Sequence, residues 1–173
     1  MLSPDVTETA ELSLVGVANL AVHHNQNLLL LTHPLGAGMG VAIYDPIARV
    51  GGLWHALLPD SSLDPQRAVA HPGLFLDTGL IELLKRAEAA GAKRENLRVC
   101  AAGGGRVLDE SGCFNLGARN HQALAEQLQK RGLCLHAEDC GGLSNRTLQL
   151  NITTGEMRVK ISGQAKTKLL CKP

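Results

Sequence analysis

His55 is the residue whose type and surroundings most directly suggest chemistry. It follows Gly51-Gly52-Leu53-Trp54 and precedes Ala56-Leu57-Leu58-Pro59, so one titratable side chain lies within an apolar segment. An imidazole in such a place is either a hydrogen-bonded core histidine or a general acid–base group, since its proton exchanges near neutral pH. The residues alone leave both interpretations open.

Cysteine is the residue type that could supply a nucleophile. An odd number of cysteines at irregular spacing argues against a disulfide framework, and each is expected to be a small buried hydrophobe. Residues 1–11 carry acidic side chains and lack the apolar core of a signal peptide. We therefore expect a reduced, cytoplasmic protein. The five cysteines are Cys100, Cys113, Cys134, Cys140 and Cys171.

Motifs for metal ions and phosphates are weak. Cys134 and His136 are alternate residues of a predicted strand, but two further ligands are not evident and no Cys-x-x-Cys pair occurs. Gly103-Gly104-Gly105 matches neither the dinucleotide fingerprint nor the phosphate-binding loop. We predict no metal ion and no cofactor, and we expect the glycine triplet to allow close backbone packing or to form a wall of oxyanion-hole type.

The hydrophobic pattern predicts more strands than helices. Apolar residues recur at helical spacing from Leu74 to Ala87, and a second helix is predicted between Gly117 and Gly132. Alternating residues on both sides of Thr153-Thr154-Gly155 predict a hairpin. Because adjacent strands follow one another without a helix between them, the pattern favours an α+β domain with mixed strands. Further strands are predicted over residues 14–22, 28–31, 41–44, 97–102 and 133–137.

Length and composition indicate one domain and exclude several partners. The chain has 173 residues, and we expect a flexible N-terminus over residues 1–12, a domain over residues 13–161 and a flexible, lysine-bearing tail over residues 162–173. A formal net charge of +1 and only four aromatic residues give no basis for nucleic-acid binding. No apolar run reaches the roughly 20 residues that span a bilayer, so no membrane insertion is expected.

Five short motifs follow one another between Val15 and Lys160. They are Leu35-Gly36-x-x-x-x-Val41-Ala42-Ile43-Tyr44-Asp45-Pro46; Gly51-Gly52-x-x-His55-x-x-Leu58-Pro59; Gly103-Gly104; Leu116-Gly117-Ala118-Arg119-Asn120; and Glu138-Asp139-x-Gly141-Gly142 with Arg146 and Thr154-Gly155-Glu156-x-x-Val159-Lys160. Each motif is weak alone, but the ordered set resembles the CheD family, the chemoreceptor glutamine deamidases of bacterial and archaeal chemotaxis.

The resemblance implies a fold and a catalytic trio. The fold is a mixed, sandwich-like β-sheet core flanked by helices and related to deamidating toxin domains. In the trio, a cysteine attacks a receptor glutamine, a histidine transfers protons and a threonine orients the imidazole. His55 matches the histidine and Thr32 matches the threonine. The family's nucleophile motif is Leu-Gly-Ser-Cys, whereas this chain has Leu35-Gly36-Ala37-Gly38, so Gly38 stands at the nucleophile position.

A glycine cannot provide a thiolate, so no acyl-enzyme can form at position 38. The leading hypothesis is therefore a catalytically impaired CheD-like chemotaxis protein that acts by protein binding. Chemoreceptor cytoplasmic segments and a CheC-like phosphatase are its candidate partners. The alternative is an active protein-glutamine deamidase or amidase that uses a displaced cysteine, Cys100 or Cys140, or a water activated by His55. A purely structural or oligomeric protein is a third possibility.

Overall fold

Two five-stranded β-sheets lie face to face, and helices cover the outer side of one of them. The computed structural model describes residues 9–109, 111 and 113–173. Within these residues, three short 3-10 turns (Ser61–Leu63, Pro72–Leu74 and Arg94–Asn96) lie between the strands and helices. In chain order the strands and helices are β1 (Glu11–Val15), β2 (Leu20–His24), β3 (Leu28–Thr32), β4 (Met39–Asp45), β5 (Val50–Ala56), α1 (Pro65–Ala70), α2 (Leu76–Ala89), β6 (Arg98–Gly103), α3 (Leu116–Lys130), β7 (Ala137–Cys140), β8 (Arg146–Asn151), β9 (Met157–Ile161) and β10 (Lys168–Cys171).

Each sheet contains both parallel and antiparallel neighbouring strands. Sheet A has the order β1-β3-β8-β9-β10, and sheet B has the order β2-β5-β4-β6-β7. The pairs β1–β3 and β6–β7 are parallel, whereas the other neighbours are antiparallel. The parallel β6–β7 pair requires a crossover, which α3 provides.

Sheet B is buried on both faces, whereas sheet A is buried on one. All seven residues of β4 and all seven of β5 are buried, because sheet A covers one face and helices α2 and α3 cover the other. Sheet A is covered on one face only, so β3 and β8 show the alternating burial of a half-exposed strand. The core between the sheets includes Leu30, Leu53, Cys100, Leu148 and Leu150.

The helices pack on sheet B through spaced leucines. In α2, Leu76, Leu80, Leu83 and Leu84 are buried, and in α3 Leu124 and Leu128 are buried. The indole Nε1–H of Trp54 donates a hydrogen bond of 2.7 Å to the carbonyl of Gly73, which satisfies the one polar atom of a fully buried side chain. Within the described part of the chain, no helix is long and apolar enough to cross a membrane.

The expected fold class is confirmed, and several local predictions differ from the structure. Helices α2 and α3 and the β8–β9 hairpin are present as predicted. The strand predicted over residues 14–22 is wrong, because Ala18 has a positive φ of 63° and the chain passes from sheet A to sheet B there. The strand predicted over residues 133–137 begins only at Ala137, because the backbone N–H of Val99 on β6 donates to the imidazole of His136 and not to a backbone carbonyl.

The C-terminal segment also differs from the prediction. Residues 168–171, expected to belong to a flexible tail over residues 162–173, form strand β10 and pair with β9. Leu170 and Cys171 pack against the core between the sheets, so apolar burial holds this strand. At the other end, strand β1 begins at Glu11, inside the predicted N-terminal segment 1–12. The prediction for residues 1–8 lies outside the described residues.

Candidate active site

His55 lies near the end of β5 and faces the space between the two sheets. Leu53, two residues earlier on the strand, belongs to the core between the sheets, and alternate residues of a strand share a face. Only 2% of His55 is exposed. Its backbone pairs with Gly40 of β4, which leaves the end of the strand next to the loop that contains Gly38.

Position 38 faces the imidazole directly. A Cβ atom built on Gly38 would lie 3.3 Å from Nε2 of His55, so a side chain at this position would meet the imidazole. The same Cβ would lie only 2.7 Å from the carbonyl oxygen of Ala56, which is closer than real contacts allow. Gly38 does not have a positive φ. The obstacle to a side chain at position 38 is therefore steric contact with β5, not backbone conformation.

Thr32 lies across the sheet interface from His55. It ends β3 in sheet A and is buried, and its methyl group would meet a Cβ placed on Gly40, the strand partner of His55. The Thr32 hydroxyl oxygen accepts a 3.0 Å hydrogen bond from the backbone N–H of Leu148. Among the described residues, Nδ1 of the buried His55 has no hydrogen-bond partner. The structure thus brings Thr32 and His55 to one region without joining them by a hydrogen bond.

Backbone hydrogen bonds connect the Gly38 loop to the glycine triplet. The N–H of Gly104 donates to the carbonyl of Gly38 over 2.9 Å, and the N–H of Gly105 donates to the carbonyl of Gly36 over 2.8 Å. Gly103 has a φ of +113°, and a Cβ there would collide with the Gly38 carbonyl. The expectation that the triplet allows close backbone packing is confirmed.

The start of α3 closes against this loop pair. A Cβ on Gly117 would collide with the carbonyls of both Gly104 and Gly105, so only glycine permits this approach. One turn later, the buried Asn120 side chain donates from Nδ2 to the carbonyl of Ala37 over 2.8 Å and to the carbonyl of Leu57 over 2.9 Å. Asn120 therefore ties the Gly38 loop and the end of β5 to one helix.

Sequence reasoning placed Asn120 in a family motif but did not assign it this role. The available signal was its spacing, because Asn120, Leu124 and Leu128 recur every four residues and share the buried side of α3. A polar residue on an apolar helix face needs hydrogen-bond partners. Here those partners are two loop carbonyls.

A largely apolar pocket of about 570 Å³ opens in front of Gly38 and His55. Its walls come from the loop after β3, the end of β5 and the segment between β6 and α3. Leu108 and Phe114 stand at this pocket with 99% and 80% of their surface exposed. Large apolar side chains exposed beside a pocket are typical of a surface that binds another molecule.

The surroundings keep the imidazole of His55 neutral. Burial lowers the pKa of His55 from 6.5 to about 4, and the nearby His33 lowers it further by charge repulsion. At neutral pH the side chain therefore carries a free lone pair and can accept a proton.

Cys140 does not reach His55. Along sheet B, His55 pairs with Gly40, Gly40 with Ala102 and Ala102 with Asp139, the neighbour of Cys140. Three strand spacings amount to about 14 Å. Cys140 also packs on the helix side of the sheet, opposite to His55, and burial followed by repulsion from Glu138 raises the pKa of its thiol to about 12.

Cys100 is also remote from His55. It lies two strands away on β6, paired with Ala42, and is fully buried between the sheets. Burial raises the pKa of the Cys100 thiol to about 12, and the neighbouring Cys171 contributes in the same direction. Neither of these two cysteines can form a nucleophile–base pair with His55, because such a pair requires hydrogen-bond contact.

Replacing Asn120 tests the connection between α3 and the Gly38 loop. We expect Asn120→Asp to lower the free energy of unfolding by about 2–4 kcal/mol, because two buried carbonyls lose their donor and face a carboxylate instead. Chemical denaturation measures the change, with the exposed Gln129→Ala of the same helix as control. A loss no larger than that of the control would contradict this role.

The pKa of His55 predicts an acid sensitivity of folding. Between pH 6.5 and about 4 the unfolded chain binds a proton at His55 that the folded protein does not bind, so stability falls as the pH falls through this range. We expect wild-type protein to lose about 2–3 kcal/mol more than His55→Gln between pH 7 and pH 4.5. Urea denaturation at both pH values measures this difference. His24→Gln, at an exposed position, should behave as wild type, and equal losses in all three proteins would refute the prediction.

Comparison with known proteins identifies the family. A family model described as CheD chemotactic sensory transduction matches residues 57–161. The probable chemoreceptor glutamine deamidase CheD of Solibacter usitatus is 40% identical over 153 residues, covering 88% of this chain and 90% of the relative. A second relative with the same description, CheD 2 of Anaeromyxobacter dehalogenans, is 41% identical over 150 residues, covering 87% and 94%.

A relative from a third organism agrees with these. The chemoreceptor glutamine deamidase CheD of Thermotoga maritima is 35% identical over 150 residues, covering 87% of this chain and 92% of the relative. These alignments span most of both chains in each case, and the sandwich of two mixed sheets agrees with the fold that the sequence motifs implied. The chain belongs to the CheD family.

Proposed function

We propose that this chain binds a chemoreceptor segment in the His55 pocket without deamidating it. The observation that carries the proposal is the pairing of a preserved imidazole with a glycine at the position that faces it. Relatives named chemoreceptor glutamine deamidase supply the receptor as the partner class. A partner of this kind, a cytoplasmic receptor segment, would place the chain in the cytoplasm. A CheC-like phosphatase is a second candidate partner.

Residue 38 occupies the position from which a nucleophile would contact the imidazole of His55. Amide hydrolysis by a cysteine needs the sulfur within hydrogen-bond reach of its base. A Cβ at position 38 would lie 3.3 Å from His55 Nε2, so a cysteine there would have the required contact. Glycine leaves the base without a nucleophile, and loss of one member of such a unit removes most of its rate enhancement.

The pocket itself remains suited to binding. Exposed Leu108 and Phe114 offer apolar contact area. Hydrogen bonds between the backbones of the Gly38 loop and the glycine triplet hold the loops beside them in place. A glutamine-bearing receptor segment could therefore contact the pocket through its apolar side chains. Binding of this kind needs no acyl intermediate.

A second candidate function is amide hydrolysis by another route. The observation that favours it is the neutral, buried His55, which could activate a water molecule. A displaced cysteine is the other route, and the distances above disfavour Cys100 and Cys140. Cys113 is a further candidate for this route, because it is an exposed thiol that directly precedes Phe114 of the pocket.

An ammonia-release assay on a glutamine-bearing receptor fragment separates the two candidates. We expect no release above the buffer blank, because the base has no nucleophile beside it. Release that is lost in His55→Ala or in Cys113→Ala would favour the hydrolase instead, and release that survives both would contradict each route described here.

Binding to the same fragment is tested by fluorescence anisotropy. We expect Phe114→Asp to weaken binding by about tenfold or more, since an aromatic ring buried in an interface contributes at least 1.5 kcal/mol or so. The control is Ile47→Asp, an equally exposed apolar residue at the opposite end of β5. Equal affinities for Phe114→Asp, Ile47→Asp and wild type would contradict binding at this pocket.

Restoring the thiol tests whether the pocket is still arranged around position 38. We expect the cysteine of Gly38→Cys to react with iodoacetamide at pH 7 faster than the exposed Cys134, because the thiolate and the imidazolium formed by proton transfer to His55 would lie in contact and stabilise each other. Peptide-level mass spectrometry separates residue 38 from the five natural cysteines.

Two controls accompany this variant. Gly38→Ala reports the cost of a Cβ that meets the Ala56 carbonyl, about 1–3 kcal/mol of unfolding free energy. Gly38→Cys combined with His55→Gln removes the base, and its labelling rate should fall to that of Cys134. A Gly38→Cys thiol no more reactive than Cys134 would show that the pocket no longer activates a thiol.

A further inference from the structure

Three side chains of different chemistry meet on the helix side of sheet B. His121 comes from α3, and Glu138 and Cys140 come from β7. Their candidate ligand atoms all lie within 4.8 Å of one another, and Nε2 of His121 is 2.6 Å from a carboxylate oxygen of Glu138. An imidazole nitrogen, a carboxylate and a thiol are the donors that zinc takes in proteins.

The alternation of side chains along β7 and the path of α3 produce this arrangement. Glu138 and Cys140 are alternate residues of β7, so they point to the same face, and Cys140 packs toward the helices. Helix α3 crosses that face and places His121 above the strand, one residue after the buried Asn120. From the sequence we predicted no metal ion and considered only Cys134 and His136 as possible co-ligands; in the structure, Nδ1 of His136 accepts a hydrogen bond from the backbone N–H of Val99.

The cluster is accessible to an ion from solvent. His121 and Glu138 are each 40% exposed, and all three residues line a cavity of about 590 Å³. Asp139, between Glu138 and Cys140, bonds to Arg146 over 2.7 Å and to Lys168 over 2.9 Å. Arg146 of β8, whose charge acts on Cys140, is therefore already paired with Asp139. Arg106 is a second cation that lines the same cavity.

We propose that His121, Glu138 and Cys140 bind a zinc ion, with a fourth position open to the cavity. The ligands are Nε2 of His121, a carboxylate oxygen of Glu138 and the sulfur of Cys140. Three protein ligands and one open position form a zinc site of the kind that retains a water molecule. On binding, the Cys140 S–H bond breaks, the sulfur keeps the electron pair and bonds to zinc, and the proton goes to solvent.

The three ligand groups already lie close together without a cation. Nε2 of His121 and a carboxylate oxygen of Glu138 are in hydrogen-bond contact. Cys140 packs on the helix side of sheet B, whereas His55 faces the core between the sheets, and Arg106 lines both cavities.

Cobalt(II) is a suitable probe because thiolate coordination to it gives a near-ultraviolet charge-transfer absorption. The full-length protein is treated with a chelator, titrated with Co²⁺ and then with Zn²⁺. We expect this absorption to saturate at one Co²⁺ per chain and to vanish on addition of Zn²⁺. Absence of the absorption, or several equivalents without saturation, would mean adventitious binding only and would overturn the proposal.

Variants assign the ligands. Cys140→Ser should abolish the charge-transfer absorption, and His121→Ala and Glu138→Gln should each weaken Zn²⁺ binding by at least about tenfold, the loss typical of even an outer-shell partner. Cys134→Ser, which removes an exposed cysteine outside the cluster, should bind as wild type. Because His121 and Glu138 are partly exposed, their variants should remain folded by circular dichroism. Unchanged Zn²⁺ affinity in all three cluster variants would overturn the assignment.

Discussion

The hydrogen bonds between the Gly38 loop, the glycine triplet and α3 determine the geometry of the whole site. Gly104 and Gly105 donate to carbonyls of the loop, and Asn120 donates to Ala37 and to Leu57. The close approach of the backbones at Gly103 and Gly117 leaves no room for a Cβ. The loops around His55 are therefore held by contacts that use no side chain at position 38.

These contacts keep the loops in place with a glycine at position 38. The imidazole is held by β5 and faces position 38, and burial keeps it neutral. The loop lies close to β5, since a Cβ at position 38 would press on the Ala56 carbonyl. The scaffold around His55 thus rests on contacts made by Asn120 and the glycines, and none of these contacts uses a side chain at position 38.

Much of the fold could be predicted from sequence, and the failures have physical causes. Helices α2 and α3 and the β8–β9 hairpin follow from local periodicity, which reports one buried face. Strand β10 was missed because its burial depends on Leu170 and Cys171 meeting a core made by distant strands. His55 stood out as a polar residue in an apolar segment. The meeting of His121 with Glu138 and Cys140 could not be foreseen, because it depends on where α3 crosses β7.

The most direct test of the central claim is the chemical state of receptor glutamines after complex formation. A glutamine-bearing receptor fragment is incubated with the full-length protein in ¹⁸O-labelled water, recovered from the complex and mapped by peptide mass spectrometry. The structure predicts a complex in which every glutamine remains an amide without ¹⁸O, because no thiol stands opposite His55. Glutamate carrying ¹⁸O at any receptor glutamine would contradict the account and show that the chain hydrolyses amides without a residue-38 nucleophile.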